Sequence, residues 1–164
     1  MDSLKNLDYD KRKLEIIVIN DGSTDNTRKI VEKFIKDNPI LNVLLVNREK
    51  NSGKKAVALN EGLKHVNCEY VGCVDSDSTV DKNSLKNILP MFEKDVGSVI
   101  SVIRVGNPTN IYGKIQRLEY IISNFVRRLM SKIDTLHVTP GALSIYRYDV
   151  LEKLKTHIFA IAKS

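Results

Sequence analysis

At 164 residues and 42% hydrophobic content, the chain is long enough to bury one real core and short for two, so it reads as a single domain over residues 1–164. Charged residues make up 28%, with few Gly and Pro, which excludes a disordered tail, and no run of about 18 apolar residues or signal-peptide-like start occurs, so nothing is predicted to span a membrane. The net charge of +6 favours anionic partners, but the 26 Lys and Arg are dispersed along every helix without a nucleic-acid-binding motif, so a nucleotide diphosphate, an anionic lipid surface or no specific partner fits better than nucleic acid.

In chain order, "LEIIVI" from Leu14 to Ile19 is a buried strand rich in β-branched residues, and "NDGST" after it supplies a turn and a helix start. A helix follows from about Asp25 to Asp37, with Ile30, Val31, Phe34 and Ile35 on one stripe. Asn42 to Val46 repeats the buried-strand pattern, and a second helix runs from about Lys54 to Val66, opened by Ser52 and Gly53. Glu69 to Val74 is the next strand, Asn83 to Glu93 a helix, and Ser98 to Val105 a strand entered through Gly97. The longest helical pattern spans about Asn110 to Ile133, with Ile111, Ile115, Leu118, Ile122, Phe125, Leu129 and Ile133 spaced by threes and fours opposite Lys114, Arg117, Arg127, Arg128 and Lys132. Val138 to Arg147 reads as a turn and a short strand, with a helix from about Asp149. Strands alternating with helices predict an α/β domain with a mainly parallel sheet.

In such sheets ligands collect at the carboxyl ends of strands, where loops and helix N-termini converge. Both "VINDGSTD" and "VGCVDSDS" place carboxylates there, and Asp75 and Asp77, two residues apart, suit a divalent cation shared with phosphate oxygens and water. Asp81 reads better as a cap for the next helix. An EF-hand starting at Asp75 fails, because Val80 and Lys86 stand where Gly and Glu are needed. "DSDST" also resembles the nucleophile motif of haloacid-dehalogenase-type phosphatases, yet the late acidic pair of that family has no counterpart, since only Asp134 and Asp149 follow Asp95. Cys68 and Cys73 lack zinc-site spacing and read as reduced packing thiols.

Taken together, "EIIVINDGSTDNT", "NSGKKAVALNEGLKH", "YVGCVDSDSTVD" and "VTPGALSIYR" resemble the inverting family 2 glycosyltransferases of the GT-A fold, nearest the poly-N-acetylglucosamine, hyaluronan and cellulose synthase branch, collinearly from about Leu4 to Leu154. The resemblance implies a Rossmann-like, mainly parallel sheet and transfer of a sugar from a UDP-sugar such as UDP-N-acetylglucosamine, with inversion, to a glycan or lipid-linked acceptor. It implies that Asp21 accepts a hydrogen bond from uracil, that Lys54 approaches the base or diphosphate, that Asp77 holds Mg²⁺ or Mn²⁺, and that Asp75 lies near the ribose or in the outer shell of that metal. It implies a sugar pocket at Gly141, Ala142, Tyr146 and Arg147. The long basic helix resembles one on the membrane side of these synthases, which implies a cytoplasmic domain associated with the membrane's inner face; a plain core-facing helix is the equal alternative.

Asn20 departs from the family's first acid. The family's first strand, expected between the strands at Leu14 to Ile19 and Glu69 to Val74, has no match, and neither do the acidic base motif beyond Arg147 nor the Gln-x-x-Arg-Trp signature, since the chain has no Trp. The expectation is a domain truncated at both ends and inactive alone, as a truncated gene product or a piece of a split enzyme. The alternatives are a non-catalytic UDP-binding or interaction fragment and, behind it, the phosphatase.

Overall fold

The computed structural model describes residues 1–106, 108–136 and 143–153. They gather into two compact units, Met1–Glu69 with Thr79–Asn87, and Tyr70–Ser78 with the residues from Ile88 onward.

The first unit contains α1 (Asp2–Lys5), β1 (Glu15–Asp21), α2 (Thr27–Asp37), β2 (Asn42–Arg48) and α3 (Lys55–Leu63). β1 and β2 pair in parallel, in register from Glu15↔Asn42 to Asp21↔Arg48. A parallel pair needs a crossover, and α2 provides it, packing on both strands. Ile16 and Val31 are buried between these layers. Ile30, expected on the inner stripe of α2, is 63% exposed: the stripe is narrow and centred on Val31, and its neighbour lies 100° further round the helix. At the chain start Leu7 is buried, Asp8 N–H donates to the Lys82 carbonyl at 2.8 Å, and Lys86 pairs with Asp8 at 2.6 Å.

α3 lies on β1 through Gly62, which is buried against Ile19. A Cβ there would stand 2.4 Å from Ile19 Cδ1 and 3.1 Å from Cγ1. Alanine needs only a shift of the Ile19 side-chain tip, whereas valine forces the helix off the strand. Gly62→Val is therefore expected to lower stability by about 1–3 kcal/mol, read as an earlier midpoint in urea with unchanged slope.

The second unit contains β3 (Tyr70–Cys73), β4 (Ser98–Ile100), α5 (Ile111–Lys132) and β5 (Ser144–Arg147), joined in the antiparallel order β3-β5-β4. α4 (Ser84–Ile88) starts among residues of the first unit and ends in the second, followed by a 3-10 turn, Leu89–Met91. The helix expected from Asn83 to Glu93 is cut at Pro90, which removes an N–H and crowds the preceding turn. β4 stops at Ile100, short of the expected Val105, because its partner begins at Ser144, the residue opposite Ile100. β1 and β3 belong to separate sheets, each at an edge of its own.

Arg147 fastens this unit. Its guanidinium donates to the carbonyls of Val96 at 3.0 Å, Glu93 at 2.9 Å and Phe92 at 3.4 Å, its N–H donates to Gly97 at 3.0 Å, and the Phe92 ring lies 4.7 Å from that of Tyr70. α5 is capped by Asn110, whose side chain accepts from Gly113 N–H at 2.8 Å. The apolar side chains of α5, including Ile115, Leu118, Ile122, Phe125 and Leu129, are exposed, and Asn124 donates to the Ile103 carbonyl at 2.7 Å. Among the described residues no helix is long and apolar enough to cross a membrane.

Candidate functional site

In the first unit the polar residues that end β1 and β2 meet because the strands are in register. Residues opposite one another in a parallel pair project to the same face, so Asn20 faces Asn47 and Asp21 faces Arg48. Asn20 is buried, donates its amide to Asn47 Oδ1 at 3.0 Å and accepts from Ser23 N–H at 3.1 Å, holding the turn after β1. An aspartate there could accept from Ser23 but, ionised, could not donate to Asn47. That gives a physical role to the residue that replaces the family's first acid.

Asp21 gathers the loop after β2. Ser52 donates its hydroxyl to Asp21 Oδ2 at 2.6 Å, and its N–H lies 3.2 Å from Oδ2 and 3.4 Å from Oδ1. Arg48 Nη1 forms an ion pair with Oδ1 at 3.1 Å. That nitrogen is buried and lacks the angle for a hydrogen bond, so the contact is one of charge. The Ser52 hydroxyl holds the Asp21 carboxyl below the ordinary aspartate range; burial opposes this, and the Ser52 N–H and the Arg48 charge reinforce it. Asp21 is thus ionised throughout the neutral range.

The loop itself is shaped by Asn51, whose side chain accepts from Gly53 N–H at 2.6 Å, and by positive φ at Gly22 and Gly53. Lys54 is exposed at the start of α3, its N–H 3.3 Å from Ser52 Oγ. Asp21, Ser52 and Lys54 therefore form one cluster at the carboxyl end of the parallel strands, beside the N-terminus of a helix, a position suited to an anionic ligand.

In the second unit Asp75 and Asp77 follow the carboxyl end of β3 in a turn closed by Ser78 N–H donating to the Asp75 carbonyl at 3.0 Å. Asp75 is half-buried and Asp77 exposed. Among the described residues no group of three His, Cys, Asp or Glu forms a self-contained metal site. Two carboxylates on one turn fit a cation that completes its shell with phosphate oxygens and water. Asp81, in the first unit, accepts from Asn83 N–H at 2.8 Å in the turn ahead of α4, so its side chain shapes the entry to the helix without capping the helix's own N–H groups.

Cys73 pairs with Ser144 and Tyr70 with Arg147, so the start of β5 lies beside the end of β3 that leads to Asp75. Tyr146 and Arg147 lie toward the opposite end of the ladder, and Arg147 is committed to the carbonyls named above. Gly141 and Ala142 lie outside the described residues. Residue types and motif order did not single out Arg48, Asn47 or Ser52; the signal that finds them is the register of two adjacent parallel strands.

Residues 1–155 match the family described as Glycosyl transferase family 2. Poly-beta-1,6-N-acetyl-D-glucosamine synthase of Staphylococcus epidermidis is 35% identical over 155 residues, covering 93% of this chain and 36% of its own length. The Staphylococcus aureus (strain COL) protein of the same name is 34% identical over 152 residues, covering 89% and 35%. The chain thus spans about a third of the curated relatives it matches. Among solved structures, the mannosyltransferase PcManGT of Pyrobaculum calidifontis, in complex with GDP-Man and Mn²⁺, aligns with a TM-score of 0.74 at 28% identity, over 93% of this chain and 41% of its own. S. aureus TarS 1-349 in complex with UDP-GlcNAc aligns with a TM-score of 0.66 at 27% identity, over 94% and 42%.

Proposed function

The chain belongs to glycosyl transferase family 2 and has the GT-A fold; from that premise we propose that it is the donor-binding part of an enzyme that transfers a sugar from a UDP-sugar, with inversion. The observation that carries this is the cluster of Asp21, Ser52 and the Lys54 backbone at the strand ends, which fixes a carboxylate for a nucleobase N–H beside an exposed lysine. UDP-N-acetylglucosamine is the proposed donor and a glycan or lipid-linked sugar the proposed acceptor, by similarity to the two synthases and to TarS.

In this reading Asp21 orients the base and Lys54 offsets diphosphate charge. Asp77, assisted by Asp75, holds Mg²⁺ or Mn²⁺; when bound, the cation neutralises charge building on the departing diphosphate. Gly141 and Ala142 are proposed at the sugar, next in sequence to the start of β5, where a larger side chain would exclude it. Tyr146 and Arg147 enter the proposal as part of the β5 framework behind that pocket. The inverting attack also needs a general base for the acceptor hydroxyl, and none is assigned among these residues. Association with the cytoplasmic face of a membrane belongs to the same proposal, supported by the exposed apolar side chains of α5 opposite Lys114, Arg117, Arg127 and Arg128.

Isothermal titration with UDP and Mn²⁺ tests the donor site. The full chain is expected to bind UDP, and Asp21→Ala to weaken binding by about 10- to 100-fold, as expected for one hydrogen bond to a charged group. Unchanged UDP affinity in a folded Asp21→Ala protein would remove Asp21 from the site. A non-catalytic binding role is the second reading, and UDP-sugar turnover by the isolated chain would exclude it.

A further inference from the structure

Resting on the donor-site reading, we propose that Ser52 and Arg48 determine which nucleobase the site accepts. Ser52 fills one oxygen of the Asp21 carboxylate and Arg48 holds the carboxylate by charge, so that one oxygen stays open to a ring N–H and uracil is selected over guanine.

An ionised carboxylate has two oxygens and about four positions at which a donor is accepted. At Asp21, Oδ2 receives the Ser52 hydroxyl at 2.6 Å and the Ser52 N–H at 3.2 Å. The same N–H reaches Oδ1 only at 3.4 Å, and Arg48 Nη1 stands 3.1 Å from Oδ1 as a charge without a hydrogen bond. The open acceptor positions are therefore on Oδ1.

Uracil presents one ring N–H between two carbonyls, so it needs one acceptor and gains nothing from a second. Guanine presents a ring N–H and an adjacent amino group, a pair that suits a carboxylate with both oxygens open. Here the second donor meets an oxygen already filled by Ser52. Guanine could be seated only by expelling the Ser52 hydroxyl, which leaves that group or the guanine amino group unpaired, and an unpaired polar group at a binding site discriminates strongly. Cytosine lacks the ring N–H and fails for the opposite reason.

The arrangement is fixed from outside the base. Arg48 is held opposite Asp21 by the β1–β2 register, and its charge fixes the carboxylate in place. Ser52 has one hydroxyl hydrogen, directed to Asp21 at 2.6 Å in preference to the Lys54 carbonyl at 3.1 Å, while its oxygen lies 3.3 Å from Lys54 N–H. The residue that limits the base therefore also sets the start of α3. Neither Ser52 nor Arg48 needs to touch the sugar or the diphosphate to act.

The test is isothermal titration of the full chain with UDP, GDP and CDP in Mn²⁺, for wild type, Ser52→Ala and Ser52→Thr. The wild type is expected to bind UDP at least about tenfold more tightly than GDP or CDP. Ser52→Ala opens a second acceptor position and is expected to cut the UDP-to-GDP preference by about tenfold, chiefly by improving GDP; Ser52→Thr, which keeps the hydroxyl, restores it. Loss of fold alone would weaken all three nucleotides together. Should Ser52→Ala not fold, Ser52→Gly, which also lacks the hydroxyl, reads the same ratio. A folded variant that keeps the wild-type ratio, or a wild type that prefers GDP, overturns the inference; a wild type that binds none of the three overturns the donor-site reading beneath it.

Discussion

Replacing Asp77 with alanine is expected to abolish the Mn²⁺-dependent part of UDP binding while leaving the fold intact. Its side chain is exposed on the turn after β3, so its removal changes stability by no more than about 0.5 kcal/mol. In the proposed donor site the same carboxylate would hold a divalent cation, and such a cation held between phosphates depends on one or two protein carboxylates. Loss of one is expected to weaken Mn²⁺ binding in the presence of UDP by at least about 100-fold, beyond the effect of removing a group that only orients a ligand. Titrating UDP into Asp77→Ala with Mn²⁺ should then reproduce the wild type in chelator. Asp75→Ala should lose less, since Asp75 is proposed only to assist from the outer shell, and the backbone carbonyl that closes the turn is kept. Manganese-enhanced UDP binding that persists in Asp77→Ala would place the cation elsewhere.

Replacing Gly22 should damage both fold and site. Gly22 has φ of +68°, and a Cβ there would stand 2.4 Å from Asn51 N and 2.8 Å from the Lys50 carbonyl carbon. The first condition costs an L-residue about 1–2 kcal/mol. The second sets a side chain against backbone, which has no rotamer by which to yield. Gly22→Ala must therefore push the loop after β2 away from the end of β1, and with it Ser52 and Lys54 away from Asp21. A loss of about 2–5 kcal/mol in urea unfolding is expected, together with at least tenfold weaker UDP binding in the protein that remains folded. Gly53→Ala separates the two causes, because φ is +65° there and nothing lies within 4 Å of the added carbon. It should cost about 1 kcal/mol and leave the Asp21–Ser52 bonds in place.

The parts of the fold legible in the sequence are those in which one local signal dominates. β1, β2 and β3 lie within two residues of their expected limits because uninterrupted β-branched and apolar runs have few other uses in a chain of this length. α5 is marked by a sustained period of three and four, although periodicity alone leaves its exposure open. The errors arise where a partner or a single residue overrides the pattern. Pro90 ends α4 inside a helical period, β4 is only as long as the ladder β5 offers, and Ile30 sits just beyond a stripe one residue wide.

The site divides in the same way. The places of Asp21, Lys54, Asp75 and Asp77 after strands or before a helix are legible because the motifs that contain them follow or precede those elements. The roles of Arg48 and Ser52 are not, because what gives them meaning is contact with Asp21 across 27 and 31 positions of chain, through pairing that no local window contains. Arg147 shows the converse: its motif position suggested the sugar, while its side chain holds the loop at residues 92–96 through three carbonyls.

The claim on which the function depends is that carboxylates at these strand ends hold a nucleoside diphosphate through a divalent cation. The most direct test is calorimetric titration of UDP into the wild-type chain, once with Mn²⁺ and once with chelator. The account predicts saturable binding that tightens at least about tenfold with the metal. Binding that is the same in both conditions, or absent from a folded protein in both, would contradict it.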